Sequence, residues 1–320
     1  MIASAHEVSS AGVWVSDPAS YFWLDLADGT TMEHRYLSET GVELPASGLG
    51  TWNYTGGIEP LRTGIALGAC FIDTAESYGT EEVVGRAIQG NRKAVFLATK
   101  VSPRHFHHAD VITSADRSLR RLNTDYIDLY QLHWPNYTIS IAETVGAMEL
   151  LVDRGKVRFI GVSNFHLRDL KNAQKAMTKH KIVSNQVRYN LIDRTIELGL
   201  LDYCRQQKIT VIAHSPLASG PSSITAQDPE GVLEKVAKNR SKSAVQVAIN
   251  WCISTRGIVT IPKANSMEHV KENCAASDFA LSVEEARLLE TKIKFSRRGP
   301  FELALRRIAR HGLQMIGKNQ

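Results

Sequence analysis

From residue 46 onward the chain alternates short, apolar, β-branched runs with longer stretches whose apolar residues recur at helical spacing, the pattern of strand–helix units on a parallel sheet. Eight such runs stand out: Ala46–Trp52, Phe71–Ala75, Ala94–Val101, Tyr126–His133, Val157–Asn164, Ser184–Asn190, Ile209–Pro216 and Ile258–Lys263. VFLAT and FIGV are almost continuously apolar, as strands covered on both faces must be. Helices are expected to open at Thr113 or Ser114, at Ser140 with Gly155 as the stop, and at Asn164. The pattern repeats about every 30 residues, so eight units fit one α/β domain, a (β/α)8 TIM barrel. An open doubly wound sheet is the runner-up, but the chain has no G-x-G-x-x-G between a strand and a helix to support its dinucleotide-binding form. Ahead of the first run, His34–Leu44 reads as a β-hairpin turning at Thr40–Gly41, a plug for the closed end of the barrel.

Composition narrows the class. With 43% hydrophobic and 22% charged residues in a chain of 320, a disordered chain and a long coiled coil are both disfavoured. No apolar stretch reaches the ~18 residues of a membrane-spanning helix. Cys70, Cys204, Cys252 and Cys274 show no metal-finger spacing and read as reduced thiols in a cytoplasmic protein. The N-terminus lacks the pattern of a secretory signal. The net charge of +5 is unevenly spread: residues 292–320 hold eight Lys/Arg against Glu302, whereas residues 1–31 hold four acidic residues and no basic ones. The expected organisation is therefore an accessory extension over 1–31 whose deletion is tolerated, a barrel over 32–291, and a basic tail over 292–320. The tail is read as a solvated helix face, so neither nucleic acid nor membrane is expected as a partner, and the protein is expected to be a monomer or weak homo-oligomer.

Polar residues gather at the C-terminal ends of the apolar runs: Asp73, Lys100, His133, Ser163, Asn164, Gln186, Ser215 and Lys263. In a barrel these ends converge on the rim where active sites form. Asp73, Tyr78, Lys100 and His133 carry the most suggestive chemistry. A lysine ammonium beside a phenol is expected to bring the phenol's pKa down toward the range of a working proton donor, with Asp73 holding the lysine charged. A neutral His133 would orient a substrate carbonyl by hydrogen bonding. A rival reading takes His105, His107 and His108 in RHFHH, with Asp110, as a metal cluster. These histidines lack the i, i+4 spacing of a helical metal site, and no metal is expected.

The motifs GLGTW (48–52), FIDTAESYG (71–79), LATK (97–100), LHWP (132–135), GVSNF (161–165), NQVRYN (185–190), HSPL (214–217) and IPKA (261–264), followed by EN (272–273), occur in this order. The chain thereby resembles an aldo-keto reductase over residues 33–290. The resemblance implies a barrel enzyme, NADP(H)-dependent with NAD(H) usable, that reduces a small carbonyl substrate: an aldehyde, or a ketone or open-chain sugar. Tyr78 is implied as proton donor, with Asp73, Lys100 and His133 completing a tetrad. Ser163, Asn164 and Gln186 match contacts to the nicotinamide carboxamide, Gly50 and Thr51 match positions beside the cofactor, and Leu217 and Ser219 match the pyrophosphate-side loop. Lys263, Ala264, Asn265, His269, Glu272 and Asn273 fall on the segment for the adenosine 2′-phosphate and its surroundings, and Trp52 and Trp134 on the walls of the substrate pocket.

Three departures matter. His214, next to Ser215, replaces the usual nicotinamide-stacking tyrosine; Ala264 and His269 replace a serine and an arginine that serve the 2′-phosphate; and at the periphery the loop after LHWP is short (Asn136–Ser140) and the sequence beyond Lys294 is unlike a substrate-closing tail, which leaves substrate specificity open. Losing the arginine fork while keeping the point charge of Lys263 is expected to weaken discrimination against NADH. His269 contributes charge only when protonated, so the preference for NADPH is expected to grow at lower pH. A second reading, from another functional class, is a regulatory nicotinamide-binding module with little turnover.

Overall fold

The computed structural model describes residues 32–295. The extension 1–31 and the tail from 296 onward lie outside the described residues. A two-stranded hairpin, β1 (His34–Tyr36) and β2 (Glu43–Pro45), precedes eight parallel strands: β3 (Leu49–Gly50), β4 (Phe71–Asp73), β5 (Phe96–Val101), β6 (Ile127–Leu132), β7 (Val157–Ser163), β8 (Ile182–Arg188), β9 (Thr210–His214) and β10 (Ile258–Thr260). The eight lie side by side in chain order. Gly48 N–H donates to Thr260 O at 2.7 Å, Gly50 N–H to Pro262 O at 3.0 Å, and Thr260 N–H to Ala46 O at 2.8 Å. These bonds join the first strand segment to the last and close the barrel, which excludes the open doubly wound sheet.

Helices α1 (Glu59–Ala66), α2 (Glu81–Ile88), α3 (His108–Leu122), α4 (Ile141–Asp153), α5 (Leu167–Ala176), α6 (Leu200–Gln206), α7 (Pro221–Thr225), α8 (Val232–Asn239) and α9 (Ala244–Ser254) connect the strands. After β10 come α10 (Met267–Cys274) and α11 (Val283–Lys292).

The period-2 alternation of each strand splits its side chains between two cores. Ile72, Leu97, Tyr130, Leu132 and Val162 face outward into the layer shared with the helices. Phe71, Phe96, Ala98, Leu129, Ile212 and Val259 face inward, where Leu37, Val42 and Leu44 of the hairpin join them. The hairpin thus plugs the closed end as expected, with the Phe71 and Phe96 rings edge-to-face at 5.7 Å. Further along the same inward rows the side chains turn polar: Asp73, Lys100 and Gln131.

Local boundaries differ from the sequence expectations for identifiable reasons. The first strand is Leu49–Gly50, not Ala46–Trp52, because Thr51 turns away to bond Asp73 O through both its N–H (3.1 Å) and its hydroxyl (3.0 Å). The hairpin ends pair Tyr36 with Glu43, so residues 37–42 form a connection wider than the expected Thr40–Gly41 turn, closed by Leu37 N–H to Val42 O at 2.8 Å. The third helix opens at His108, earlier than Thr113, after a 3-10 turn over Pro103–His105. Asn164 does not open α5. It sits at φ +61°, and His166 takes the cap position. Ser140 and Gly155 bracket α4 as expected, Gly155 at φ +69°.

Candidate active site

Four elements bring the tetrad together at the C-terminal end of the barrel. Lys100, fully buried on β5, places Nζ 2.5 Å from Asp73 Oδ2 and 2.9 Å from the Thr74 carbonyl. The same ammonium lies 3.4 Å from the Tyr78 hydroxyl, and His133 Nε2 lies 3.3 Å from that hydroxyl. A buried ammonium is tolerable only with a countercharge and several acceptors, and here it has both. Trp134 stacks on His133 with ring centroids 6.3 Å apart.

The electrostatics correct one expectation. Burial holds the Tyr78 phenol above its ordinary pKa, assisted by the Asp73 charge, and the Lys100 ammonium only opposes that rise. The lysine therefore does not bring the phenol down into the neutral range. Lys100 itself is held above its ordinary pKa: burial works to lower it, and the Asp73 charge, Tyr78 and their hydrogen bonds outweigh that. Burial, with the Lys100 and His214 charges, pushes His133 well below the usual histidine range, so its ring is neutral at pH 7, as expected.

Around this centre lie the residues expected to hold a nicotinamide. The left-handed backbone at Asn164 turns its amide back to donate to His133 O at 3.1 Å and Ser163 Oγ at 3.0 Å. His214 places Nε2 3.2 Å from Asn164 Oδ1 and Nδ1 3.1 Å from Ser215 Oγ, fixing the ring plane. Gln186 donates Nε2 to Asp73 Oδ1 at 2.7 Å, tying this group to the tetrad. Leu217 and Ser219 lie in the turn after β9, where Ala218 (φ +56°) and Gly220 (φ +117°) are left-handed. Gly50 packs its Cα so close to the barrel seam that a Cβ would meet Ile261 O at 2.5 Å.

Farther out, Lys263, Ala264 and Asn265 lead into α10, where Ser266 caps the helix by accepting from His269 N–H. The Lys263 side chain is exposed and makes no ion pair among the described residues, and beside it stands a helix N-terminus, a setting that fits a phosphate. Asn265 Oδ1 accepts from Thr55 N–H at 3.1 Å, joining this segment to the loop after β3. His269 is exposed, Asn273 is buried, and Glu272 accepts from Ser243 Oγ at 2.6 Å, an anchor to α9. Trp52, 61% exposed, stands at an open mouth.

Two residues of the site escaped the sequence reading. Thr74 supplies its carbonyl to Lys100. Gln131 donates to Asp73 Oδ1 at 3.1 Å from β6, two residues before His133 and hence on the same inward row. Two of the three RHFHH histidines pair with separate carboxylates: His105 Nδ1 lies 2.8 Å from Glu76 Oε1 and His107 Nδ1 3.1 Å from Glu143 Oε1. Among the described residues no group of three or more His, Cys, Asp or Glu is arranged to hold a metal. No helix among them is long and apolar enough to cross a membrane. A cleft of about 380 Å³ lined by Glu82, Arg86, Arg121 and Asn123 lies between α2 and α3, away from the tetrad.

A closed eight-stranded barrel with a Tyr–Lys–Asp–His cluster at its mouth defines a class of carbonyl-reducing barrel enzymes. The aldo/keto reductase family profile matches residues 48–294. Methylglyoxal reductase YeaE of Escherichia coli is 41% identical over 271 residues, 81% of this chain and 95% of its own length. Glyoxal reductase of Bacillus subtilis is 35% identical, over 85% of this chain and 97% of its own. A crystal structure of an aldo-keto reductase from Klebsiella pneumoniae in complex with NADPH superposes with a TM-score of 0.76 at 37% identity, covering 84% of this chain and 97% of that one. The chain belongs to the aldo/keto reductase family and is an NAD(P)H-dependent oxidoreductase that reduces aldehydes. Resemblance to named reductases gives the regulatory reading no support.

Proposed function

We propose that this enzyme reduces small α-oxoaldehydes of the methylglyoxal and glyoxal type to hydroxy compounds, with NADPH as preferred donor and Tyr78 as proton donor. Other aldehydes, ketones and open-chain sugars are slower substrates. The observation that carries the assignment of roles is the position of the Tyr78 hydroxyl, 3.4 Å from the Lys100 ammonium and 3.3 Å from His133 Nε2. The substrate class rests on the names of the relatives.

When bound, the reduced nicotinamide supplies the hydride that goes to the carbonyl carbon. The chain supplies the rest. The raised pKa of Tyr78 keeps the phenol protonated through neutral pH, so the proton is present when negative charge develops on the carbonyl oxygen. Lys100 then faces a phenolate instead of a phenol, and its fixed ammonium stabilises that charge without reorganisation. Asp73 keeps Lys100 charged and aimed, and neutral His133 offers Nε2–H to the substrate oxygen. Trp134, stacked on His133, would keep water from that oxygen once substrate is bound. Ser163, Asn164, Gln186 and His214 would hold the nicotinamide end and Lys263 the 2′-phosphate.

Four free cysteines, three of them buried, fit a reducing, cytoplasmic setting, and the enzyme acts there as a monomer or weak homo-oligomer. The test is turnover of methylglyoxal, glyoxal, aromatic aldehydes and aldose sugars with NADPH and NADH. Methylglyoxal or glyoxal should give the highest kcat/KM, and a panel led by sugars or bulky aldehydes would refute the substrate assignment. NADPH should give a higher kcat/KM than NADH, and a preference for NADH would refute the donor assignment.

A further inference from the structure

We propose that Gln131 is a positioning residue for the reduction, holding the Asp73 carboxylate so that its other oxygen aims Lys100 at Tyr78. The inference rests on the tetrad reading above and extends it one residue deeper into the barrel. Asp73 divides its two oxygens cleanly: Oδ2 faces the Lys100 ammonium, while Oδ1 receives Gln131 Nε2 at 3.1 Å and Gln186 Nε2 at 2.7 Å. The two amides also touch each other, Gln186 Nε2 lying 3.4 Å from Gln131 Oε1. A carboxylate with donors on one oxygen and an ammonium on the other cannot rotate about its Cβ–Cγ bond without breaking those bonds. Gln131 is fully buried and Gln186 is 2% exposed.

The barrel is built to admit this side chain. Gly161, beside Gln131 in the β6–β7 register, has no Cβ, and one placed there would meet Gln131 Cγ and Leu129 Cδ1 at 3.1 Å and Ser184 Oγ at 2.5 Å. A glutamine amid apolar rows is costly unless its amide is satisfied, and Asp73 satisfies it. Of the two amides, Gln186 is the one expected beside the nicotinamide, whereas the Gln131 side chain hydrogen-bonds only Asp73 and Gln186 among the described residues. Its effect should therefore fall on the chemical step and leave cofactor affinity alone. The charged and titratable groups facing it are Asp73, which it bonds, and Lys100, its partner in the β5–β6 register, with Tyr78 and His133 beyond Lys100.

The test compares Gln131→Met, which keeps the volume and removes the donor, with Gln131→Glu, beside wild type and Tyr78→Phe. Gln131→Met should lower kcat for methylglyoxal about 10- to 100-fold, with the NADPH dissociation constant, read from tryptophan fluorescence, within about twofold of wild type. In Gln131→Glu the introduced carboxyl can donate to Asp73 only while protonated. Its kcat should approach wild type near pH 5 and fall relative to wild type as pH rises to about 8. Wild-type kcat in Gln131→Met, or a loss in both variants with no pH dependence in Gln131→Glu, would overturn the proposal. Loss of NADPH affinity in step with kcat would reassign Gln131 to the packing of the barrel and equally overturn it. If Gln131→Met does not fold, the pH profile of Gln131→Glu decides alone. Tyr78→Phe separates the two readings: if that variant keeps full activity, the tetrad assignment itself fails, whereas its inactivity beside an active Gln131→Met refutes the role of Gln131 only.

Discussion

Lys100 has no access to solvent, and a buried ammonium persists because Asp73, the Thr74 carbonyl and the Tyr78 hydroxyl surround it. Stability and chemistry are therefore coupled at this residue. Lys100→Met leaves the Asp73 carboxylate buried without its countercharge, an uncompensated state that costs about 3–5 kcal/mol, and removes the one charge that opposes the upward shift of Tyr78. The variant should unfold at lower urea concentration and lose nearly all reductase activity; an unchanged urea midpoint would show that the pair does not bear on folding. The residue scale is also where sequence reading was most informative. Asp73, Lys100 and His133 stand at strand ends and Tyr78 in the loop between two of them, so motif order alone brought them together. Gln131 was missed because it lies one inward position below the rim, where an amide reads as an ordinary interruption of LYQL. The direction of the Tyr78 shift was misread for a related reason: the lysine is visible in the sequence, but the depth at which the hydroxyl is buried is not.

Glu149 shows how a single helical carboxylate fastens an element. From α4 it accepts the backbone N–H groups of Thr178, Lys179 and His180 and the Thr178 hydroxyl, fixing the turn between α5 and β8. Burial works to raise its pKa, but these donors outweigh burial and pull it down to about 2. A carboxylate with a depressed folded pKa stabilises the protein above its unfolded pKa, here near 4.5, and the contribution is lost as pH falls toward 2. Its size is about 2 kcal/mol once solvent screening is allowed for. Glu149→Gln should lower the urea midpoint at neutral pH and flatten the loss of stability between about pH 5 and about pH 3, the direction opposite to a purely steric lesion. The strands and α4 were legible because their apolar periods are long and their stops, such as Gly155, are chemically distinct. The hairpin connection, the short first strand and the start of α3 were not, because side-chain and backbone bonds from distant segments set those ends. Thr51 turning to Asp73 is one such bond and Ser38 N–H to Thr210 Oγ1 at 2.7 Å is another.

At the scale of the molecule, the barrel interior is divided along its axis. The hairpin residues Leu37, Val42 and Leu44 seal an apolar lower part with Phe71, Phe96 and Leu129, and the polar upper part opens at the mouth where the tetrad stands. The apolar floor beneath Asp73 and Lys100 lowers the local dielectric and strengthens their hold on one another. This division follows from the sequence in outline, since inward positions run from Phe71 to Asp73 and from Leu129 through Gln131 to His133, but the closing of the ring is set by main-chain bonds between residues 46–50 and 260–262, on which side-chain pattern is silent. The central claim is that this mouth delivers a proton from Tyr78 to a carbonyl oxygen. The most direct test is kcat for methylglyoxal with saturating NADPH in Tyr78→Phe, together with the NADPH dissociation constant of the same variant. The account predicts a fall in kcat of about 10²- to 10⁴-fold with cofactor affinity unchanged. Retention of wild-type kcat by Tyr78→Phe would contradict it.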